Sequence, residues 1–397
     1  MRPKWHFGLG RELGYAFWAL TFFEAVFGAY ISIWPLWIER LGAPISIVGL
    51  VLGSAGLIRP LVIGPGSWLV DRFNTRRLLF AARTLSVGGL LVAAFADAWP
   101  LLLFTVVTGA IGELVFPAIH TYVSDHAGEN SVQAFTMVIT VGPSVALVVT
   151  PLVSGVLISQ AGIPAAFILA ALLTVAGMIF VSRMSFARVQ HEDDAAQVAS
   201  YRRAWHTPEI RRIVLFHGCT IISLAIGSSL TANFLESERG LEPAVVSILS
   251  AGAAVGTISY GVIGSRNRHL RRAPILAAVV AATCTALGYV LFATQALLPL
   301  IAVAFLLRGG LFSAWTYYLV AMGSAAPRYL RPRAFAIVEI VGGSAISFGP
   351  IIAAQLWLID PHAPFLVAAT LTALTVFWVL RSSPGIARAP AEVAQPQ

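Results

Sequence analysis

Long apolar runs, separated by short polar segments, follow one another along almost the whole chain. A bilayer core about 30 Å thick is crossed by about 20 apolar residues in a helix. Runs long enough for this cover residues 13–38, 44–70, 78–96, 100–123, 133–159, 163–181, 213–235, 243–263, 274–294, 297–323, 334–358 and 364–380. The pattern therefore predicts an all-α membrane protein with twelve transmembrane helices.

Composition agrees with this prediction. Of 397 residues, 58% are hydrophobic and only 11% are charged, whereas soluble proteins carry about 25% charged residues. The 34 Gly and 22 Pro residues are tolerated in membrane helices, where neighbouring helices satisfy the freed backbone groups. A water-soluble protein is excluded. Cys219 and Cys284 lie within apolar runs, which indicates neither a disulfide framework nor a metal site.

The basic residues are concentrated on one side of the predicted membrane. The formal net charge of +8 would suit a nucleic-acid binder, but 22 of the 26 Lys and Arg residues fall in the termini and in alternate loops. Only Arg40 and Arg239 fall on the opposite side. Cytoplasmic loops of membrane proteins carry this excess. We therefore predict that both termini are cytoplasmic, that the protein lies in the inner (plasma) membrane with lipid as a partner, and that it binds no nucleic acid.

The chain is organised as two related halves. Residues 183–212 form the longest polar interruption and predict a cytoplasmic linker between six-helix bundles at 1–182 and 213–382, with a cytoplasmic tail at 383–397. The halves match at an offset near 200 residues, as in Gly56 with Gly256 and Thr108-Gly109 with Arg308-Gly309. Parallel six-helix repeats are an architecture of secondary transporters.

The loop after the second run carries the most specific motif. It reads Ser67-Trp68-Leu69-Val70-Asp71-Arg72-Phe73-Asn74-Thr75-Arg76-Arg77. Asp71, Arg72, Arg76 and Arg77 match the signature loop of the major facilitator superfamily, which the segment resembles, whereas Ser67 and Asn74 replace two glycines. The resemblance implies a transporter whose two bundles rock, with these four residues stabilising one state as a gate.

Two weaker resemblances to the same superfamily concern its fifth and fourth helices. Thr150-Pro151-Leu152-Val153-Ser154-Gly155 looks like the element associated with antiporters, with Pro151 and Gly155 retained and Thr150 and Ser154 in place of glycines. Thr105 stands where many proton-coupled members carry an arginine.

Five charged residues fall well within apolar runs, at Glu24, Arg59, Glu113, Arg308 and Glu339. A charge at membrane depth costs about 2.5–3.5 kcal/mol on insertion scales, so each needs a partner, a watery cavity or a function. Burial disfavours the charged form of a carboxylate, which would let Glu24 exchange a proton near neutral pH; the alternative is a structural pair with Arg59.

Further roles follow from the positions of the other three charges. Glu113 would share the proton with Glu24, and Arg308 suits an anionic substrate group or a carboxylate. Glu339 is either a gate or a helix-end residue. The resemblance implies that every third helix faces lipid, and those runs avoid deep charge, with Arg83 near a cytoplasmic end as the nearest exception.

Aromatic and histidine residues add candidates. Tyr30, Trp315 and Tyr317 either line an amphipathic pocket or pack between helices, and Trp34 fits an interfacial belt. His120 and His217 are candidate proton carriers, although their positions toward helix ends favour hydrogen-bonded polar residues.

The sequence therefore predicts a proton-coupled secondary transporter of a small organic solute, working by alternating access, with export by proton antiport favoured. The alternative is a proton symporter that imports a sugar, a nucleoside or an organic acid. No nucleotide-binding motif of the Walker type is present, so ATP is not expected as a partner. No convergent catalytic or metal-binding set is found, so neither an enzyme nor a cofactor is predicted.

Overall fold

We analysed a computed structural model of the chain. It describes residues 5–72, 75–114, 118–119, 122–123, 126, 136–186, 201–327 and 330–382, and at 59–72, 136 and 332 it describes the backbone alone. Most of the described residues are helical, and there is no strand among them. They form two compact units, unit 1 with Met1–His191 and Ala232–Ala254, and unit 2 with Glu192–Thr231 and Val255–Gln397.

Unit 1 contains the helices of the N-terminal part. Its described helices are α1 (Arg11–Tyr30), α2 (Trp34–Arg40), α3 (Ile45–Arg72), α4 (Thr75–Phe95), α5 (Leu102–Gly112), α6 (Gly142–Ala161) and α7 (Pro164–Val181). A short 3-10 helix at Trp99–Leu101 precedes α5, and a π-helical turn at Thr136–Val141 precedes α6. Helix α10 (Thr231–Ser237) and the first half of α11 (Pro243–Arg266) also belong to this unit, apart from the first residue of α10.

Unit 2 contains the remaining helices. They are α8 (Tyr201–His206), α9 (Pro208–Ser229), the second half of α11, α12 (Arg268–Arg272), α13 (Pro274–Thr294), α14 (Leu298–Arg308), α15 (Gly310–Ala325), α16 (Arg331–Trp357) and α17 (Ala363–Ser382). Helix α9 packs against α15, α16 and α17. Its side chains at 213, 216, 221 and 224 are fully or almost fully buried, so α9 lies at the centre of the unit.

Ten described helical segments are long and apolar enough to cross a membrane, and two shorter apolar helices lie at Ile45–Ile58 and Trp99–Gly112. The prediction of a multi-pass helical membrane protein is confirmed. The count of twelve spans, the cytoplasmic termini and the bundle boundaries at 182 and 213 stay predictions.

Several predicted spans are broken within their length, which the hydropathy pattern did not show. The run at 13–38 is divided into α1 and α2, because Pro35 lacks the N–H that a continuous helix needs and lies instead in the first turn of α2. The run at 213–235 changes from α9 to α10 at Leu230, and the run at 297–323 changes from α14 to α15 at Gly309. An apolar run predicts burial in the membrane without fixing helix continuity.

Small residues let the helices of unit 1 approach closely, as is usual in membrane bundles. A Cβ atom at Gly177 of α7 would lie 2.5 Å from the Phe23 ring of α1. A Cβ atom at Gly89 of α4 would lie 1.9 Å from the hydroxyl oxygen of Thr108 on α5. The side chain of Phe23 is fully buried. These close approaches bring α1, α4, α5 and α7 together around one interior region.

Candidate functional site

Unit 1 contains a cavity of about 200 Å³. Helices α1 to α5 and α7 line it. Its aromatic wall comes from Phe27, Tyr30 and Trp34, and its charged groups are Arg83 and Glu113. A cavity that combines aromatic surface with a few converging polar groups is the usual form of a small-molecule site.

Arg83 is the buried cation of this cavity. It lies on α4, and only 5% of its surface is exposed. The guanidinium carbon lies 3.8 Å from the centroid of the Phe23 ring, a close cation–π contact. Arg83 also interacts electrostatically with Glu113, Glu24 and Tyr30. One arginine therefore connects three of the side chains that the sequence singled out.

The position of Arg83 corrects an expectation about its helix. The third and sixth runs were expected to face lipid, yet Arg83 and Leu90 of α4 and Thr174 of α7 line the cavity. The guanidinium of Arg83 lies beside α5, where a Cβ atom at Gly112 would be 3.8 Å from Nη1, an ordinary contact distance. Sequence position alone placed Arg83 near a helix end. The contact of its guanidinium with Phe23 of α1 could only be seen once the two helices were placed side by side.

Glu113 lies where α5 ends, as its C-cap residue. The carboxylate oxygen Oε2 is buried. Tyr30, the last residue of α1, interacts electrostatically with both Glu113 and Arg83. The Tyr30 ring also contacts Phe167 and Trp34, with centroid distances of 5.3 and 5.8 Å. Trp34 is 5% exposed and lines the cavity, whereas the place of Trp34 and Trp37 in an interfacial belt stays a prediction.

The remaining predicted charges of the N-terminal part are placed differently. Glu24 lies in the middle of α1 and is half-buried. It interacts electrostatically with Arg83. Arg59 lies within α3, and its side chain is outside the described part of the structure, so the alternative pairing of Glu24 with Arg59 stays open. His120 also lies outside the described residues.

Hydroxyl groups fix the packing of α4 on α5 beside the cavity. Thr105 Oγ1 donates to the backbone oxygen of Gly89 at 2.8 Å, and Ser86 Oγ donates to that of Thr108 at 2.9 Å. Thr105 therefore packs α5 against α4 and also lines the cavity. The buried positive charge comes from Arg83 on the neighbouring helix.

The proline-containing element of α6 makes close contacts on two sides. Toward α1, Ser154 Oγ donates to the backbone oxygen of Ala29 at 2.6 Å. Toward α11, Ser247 Oγ donates to the backbone oxygen of Pro151 at 3.1 Å, and a Cβ atom at Gly155 would lie 2.9 Å from the backbone oxygen of Ala244. Pro151 and Gly155 thus lie at a tight helix contact within unit 1.

A polar cluster that the sequence did not single out joins α2 to α10. Arg40 forms a salt bridge with Glu236. Asn233 donates through Nδ2 to the Glu39 carboxylate and to the backbone oxygen of Pro35. Arg40 was counted only as an exception to the charge distribution, because its partner lies almost 200 residues away in the sequence.

The signature-loop residues flank the junction of α3 and α4. Asp71 and Arg72 are the last two residues of α3, and their side chains lie outside the described part. Arg76 and Arg77 occupy the first turn of α4 and are exposed. The gating role of these four residues stays a prediction.

In unit 2, Arg308 ends α14 and donates through Nη2 to the backbone oxygen of Ser228 at 3.0 Å. Ser228 lies in the last turn of α9, where carbonyl groups lack helical partners. No acidic side chain among the described residues interacts electrostatically with Arg308. Its guanidinium therefore has a backbone partner but no described counter-charge.

The predicted aromatic residues of unit 2 separate into two environments. The hydroxyl of Tyr317 donates to the backbone oxygen of Tyr260 at 2.6 Å, and a Cβ atom at Gly264 would lie 2.0 Å from it. This contact corresponds to the packing alternative for Tyr317. Trp315 instead donates through Nε1 to the carboxylate of Glu339 at 3.2 Å.

Comparison with known proteins identifies the family of this chain. The sequence profile of the Major Facilitator Superfamily matches residues 16–350. The chain belongs to this superfamily. The resemblance found in the signature loop is thereby confirmed, and the protein is a membrane transporter rather than an enzyme. Members of the superfamily bind small-molecule substrates.

Individual relatives are more distant. The chain is 30% identical over 135 residues to an uncharacterized MFS-type transporter of Mycobacterium tuberculosis, a match that covers 31% of this chain and 32% of the relative. The match thus spans about a third of that relative's length.

Solved structures match over most of the chain at 14% identity. A mutant form of the nucleoside transporter NupG has a TM-score of 0.75 over 92% of this chain and 98% of its own. A POT family transporter bound to a thioalcohol-conjugated peptide has a TM-score of 0.73 over 97% and 99%. The human organic anion transporter MFSD10 has a TM-score of 0.64 over 93% and 98%. These likenesses show the fold.

Proposed function

We propose that this superfamily member is a proton-coupled secondary transporter of a small organic solute in the inner (plasma) membrane, working by alternating access. The observation that carries the proposal is the cavity of unit 1, in which buried Arg83 interacts with Glu113 and Glu24. A carboxylate beside a buried cation has two useful states. Deprotonated, it neutralises the arginine, and protonated, it leaves the arginine available to another anion.

The same cavity can couple protons to a solute in two directions. A cationic solute would compete with the proton for Glu113 or Glu24, and competition for one site produces antiport. An anionic solute would bind Arg83 once Glu113 is protonated, and joint binding produces symport. We favour export by antiport, because the antiporter-like element is retained at Pro151 and Gly155 and the first helix carries Glu24. Uptake of a sugar, nucleoside or organic acid is the competing function.

The direction is tested with inverted membrane vesicles and a proton gradient that is acid inside. Cationic and anionic organic solutes are tested in parallel. Accumulation of a cationic solute that collapses with the gradient supports antiport. Proton-driven movement of anionic solutes in the opposite direction favours symport, and independence from the gradient for every transported solute overturns proton coupling.

The residues are tested by comparing Glu113→Gln with Glu209→Gln, a matched change of an exposed glutamate in the first turn of α9. We expect Glu113→Gln to abolish gradient-driven transport while exchange of labelled against unlabelled solute continues, because exchange moves no net proton. Glu209→Gln should retain both activities. Gradient-driven transport that survives in Glu113→Gln and in Glu24→Gln would remove these residues from the coupling mechanism.

A further inference from the structure

The described segment before α1, which we call the N-terminal turn (residues 5–10), folds back onto that helix. Phe7, Gly8 and Gly10 have positive φ angles of 49°, 82° and 89°. Glycine adopts such angles freely, but they are unfavourable for phenylalanine. In the part of the chain that the structure describes, Phe7 is the one residue other than glycine with a positive φ angle. A strained backbone of this kind persists only where surrounding contacts hold it.

Three contacts hold the N-terminal turn against α1. Trp18 donates its indole N–H to the backbone oxygen of Trp5 at 3.0 Å. The rings of Trp5 and Tyr15 are in contact, with centroids 5.0 Å apart. A Cβ atom at Gly14 would lie 2.6 Å from Cβ of His6 and 2.9 Å from the Trp5 ring, so a glycine in α1 is what allows the turn to pack so closely. The position of the turn is therefore fixed by residues of α1.

The N-terminal turn holds large apolar side chains outward. Trp5 is 44% exposed and Phe7 is 49% exposed. Trp18 connects them to α7, since its ring lies 6.2 Å from the rings of both Phe7 and Phe180. A continuous exposed apolar surface marks an interaction site or a membrane contact. Aromatic side chains are stable at the boundary between lipid headgroups and acyl chains, so this surface is suited to a bilayer and not to water.

An open groove of about 440 Å³ lies beside these rings, and Trp5, His6, Arg11, Tyr15 and Phe180 line it. Arg11 is its cation. This residue is exposed at the start of α1, and its Nε donates to the hydroxyl oxygen of Tyr15 at 2.8 Å. Among the described residues, Arg11 forms no salt bridge. The groove therefore combines apolar rings with an arginine that has no bound carboxylate.

The acidic neighbour of Arg11 is engaged elsewhere. The carboxylate of Glu12 accepts hydrogen bonds from the hydroxyl of Tyr122 and from the hydroxyl of Ser185, the latter at 3.1 Å. Glu12 is thus held by residues that do not line the groove. An anionic ligand at Arg11 would not have to displace it.

The groove lies at one end of a membrane span. Helix α1 begins at Arg11, and the first apolar run begins at residue 13. This is the arginine-rich side, which the charge distribution predicts to be cytoplasmic. Arg2 and Lys4 precede the turn in the sequence and lie outside the described residues. Anionic headgroups attract basic residues near a membrane surface, so the charge at this depth complements a ligand with an anionic head and an apolar tail.

We propose that this groove binds an anionic phospholipid from the bilayer leaflet on the arginine-rich side. Arg11 pairs with the lipid phosphate, while Trp5, Phe7 and Phe180 contact the acyl chains near the glycerol. The bound lipid covers the exposed rings and stabilises the N-terminal turn on α1. The site shares no lining residue with the cavity of unit 1. It goes beyond the proposed transport function, because it requires neither a proton nor a solute.

The test is the binding of defined lipids to the full chain, purified in detergent and observed by native mass spectrometry. The chain is titrated with phosphatidylglycerol and, separately, with phosphatidylcholine that carries the same acyl chains. We expect phosphatidylglycerol to bind more tightly. Arg11→Gln should weaken its first binding step about fivefold, the factor that one basic residue contributes near an anionic membrane surface. Arg212→Gln, a matched change of an exposed arginine in α9, should leave both titrations unchanged.

A second variant tests the apolar part of the site. Asparagine tolerates a positive φ angle better than phenylalanine, so Phe7→Asn removes the exposed ring and relieves the strain in the turn. We expect this variant to keep its thermal stability in lipid-free detergent and to bind both lipids more weakly than the unchanged chain.

Three outcomes would overturn the proposal. The first is equal binding of the two lipids, and the second is phosphatidylglycerol binding that Arg11→Gln and Arg212→Gln affect alike or that Phe7→Asn leaves undiminished. The third is displacement of phosphatidylglycerol by an equal concentration of glycerol 3-phosphate, since the ligand would then be a soluble phosphate and not a lipid. These titrations use no solute or gradient, so their result is independent of the transport assays.

Discussion

Removing the buried cation of unit 1 tests the site most directly. In Arg83→Met the apolar stem is kept, while the guanidinium that interacts with Glu113 and Glu24 is lost. Since Arg83 is only 5% exposed, water cannot replace it easily. Breaking a buried charge interaction by removing one partner costs about 3–5 kcal/mol, and loss of the cation–π contact with Phe23 adds about 0.5–2 kcal/mol. We therefore expect the free energy of unfolding to fall by at least about 3 kcal/mol.

The interaction itself is isolated by adding Glu113→Gln. If the loss in Arg83→Met comes from a carboxylate left without its cation, neutralising that carboxylate should recover stability. A double-mutant cycle should give a coupling energy of at least about 1 kcal/mol, which is in the range measured for groups in one buried network.

The assay is reversible unfolding in mixed micelles, followed by the fluorescence of the ten tryptophans. The control is Arg212→Met, which removes an exposed arginine of α9 and should change stability by less than about 0.5 kcal/mol. If the two changes at Arg83 and Glu113 add without coupling, the two side chains do not interact in the folded protein. Our account of the cavity would then be wrong.

Two further predictions concern packing and the α2–α10 cluster. Gly256→Ala in α11 should destabilise by about 1–3 kcal/mol, because its Cβ atom would lie 1.9 Å from the backbone oxygen of Leu306, whereas Gly261→Ala, which has no atom within 4 Å, should be neutral or slightly stabilising. Equal effects in thermal unfolding would refute the close approach of α11 and α14. The salt bridge between Arg40 and Glu236 is partly exposed, so a cycle of Arg40→Gln and Glu236→Gln should give a coupling below about 1 kcal/mol that disappears in 1 M salt. A coupling that salt does not change would contradict a solvent-screened pair.

The sequence predicted more of the fold than of the candidate site. Hydropathy located the membrane helices, because every helix that crosses the bilayer core needs a long apolar run. Helix breaks depend on single residues such as Pro35 and Gly309. Proline and glycine also occur at many other positions of this chain where no helix is broken. The boundaries within a span were therefore beyond the pattern.

Charges inside the spans were found by the same argument, but their partners were not. Glu24 and Glu113 were recognised as charges that are costly to place at membrane depth. Arg83 was not included among the deep charges, because the sequence places it near a helix end. Its buried position involves a contact with Phe23 of α1, which is distant in the sequence. Likewise, His217 was expected to be hydrogen-bonded, but its ring is enclosed by residues of α15 and α16, and neither ring nitrogen has a hydrogen-bond partner among the described residues. Contacts between helices distant in sequence decide these cases.

The two units place opposite charges at related helix ends. Thr108-Gly109 and Arg308-Gly309 correspond in the repeat, and α5 and α14 each end within a turn of these positions. A helix C-terminus carries partial negative charge, which favours a cation by about 0.3–1 kcal/mol and disfavours an anion to a similar extent. Arg308 of unit 2 suits this field and has no described acidic partner. Glu113 of unit 1 lies against the field and interacts with Arg83. The same backbone geometry thus stabilises the positive charge of Arg308, whereas the carboxylate of Glu113 depends on Arg83 for a compensating charge.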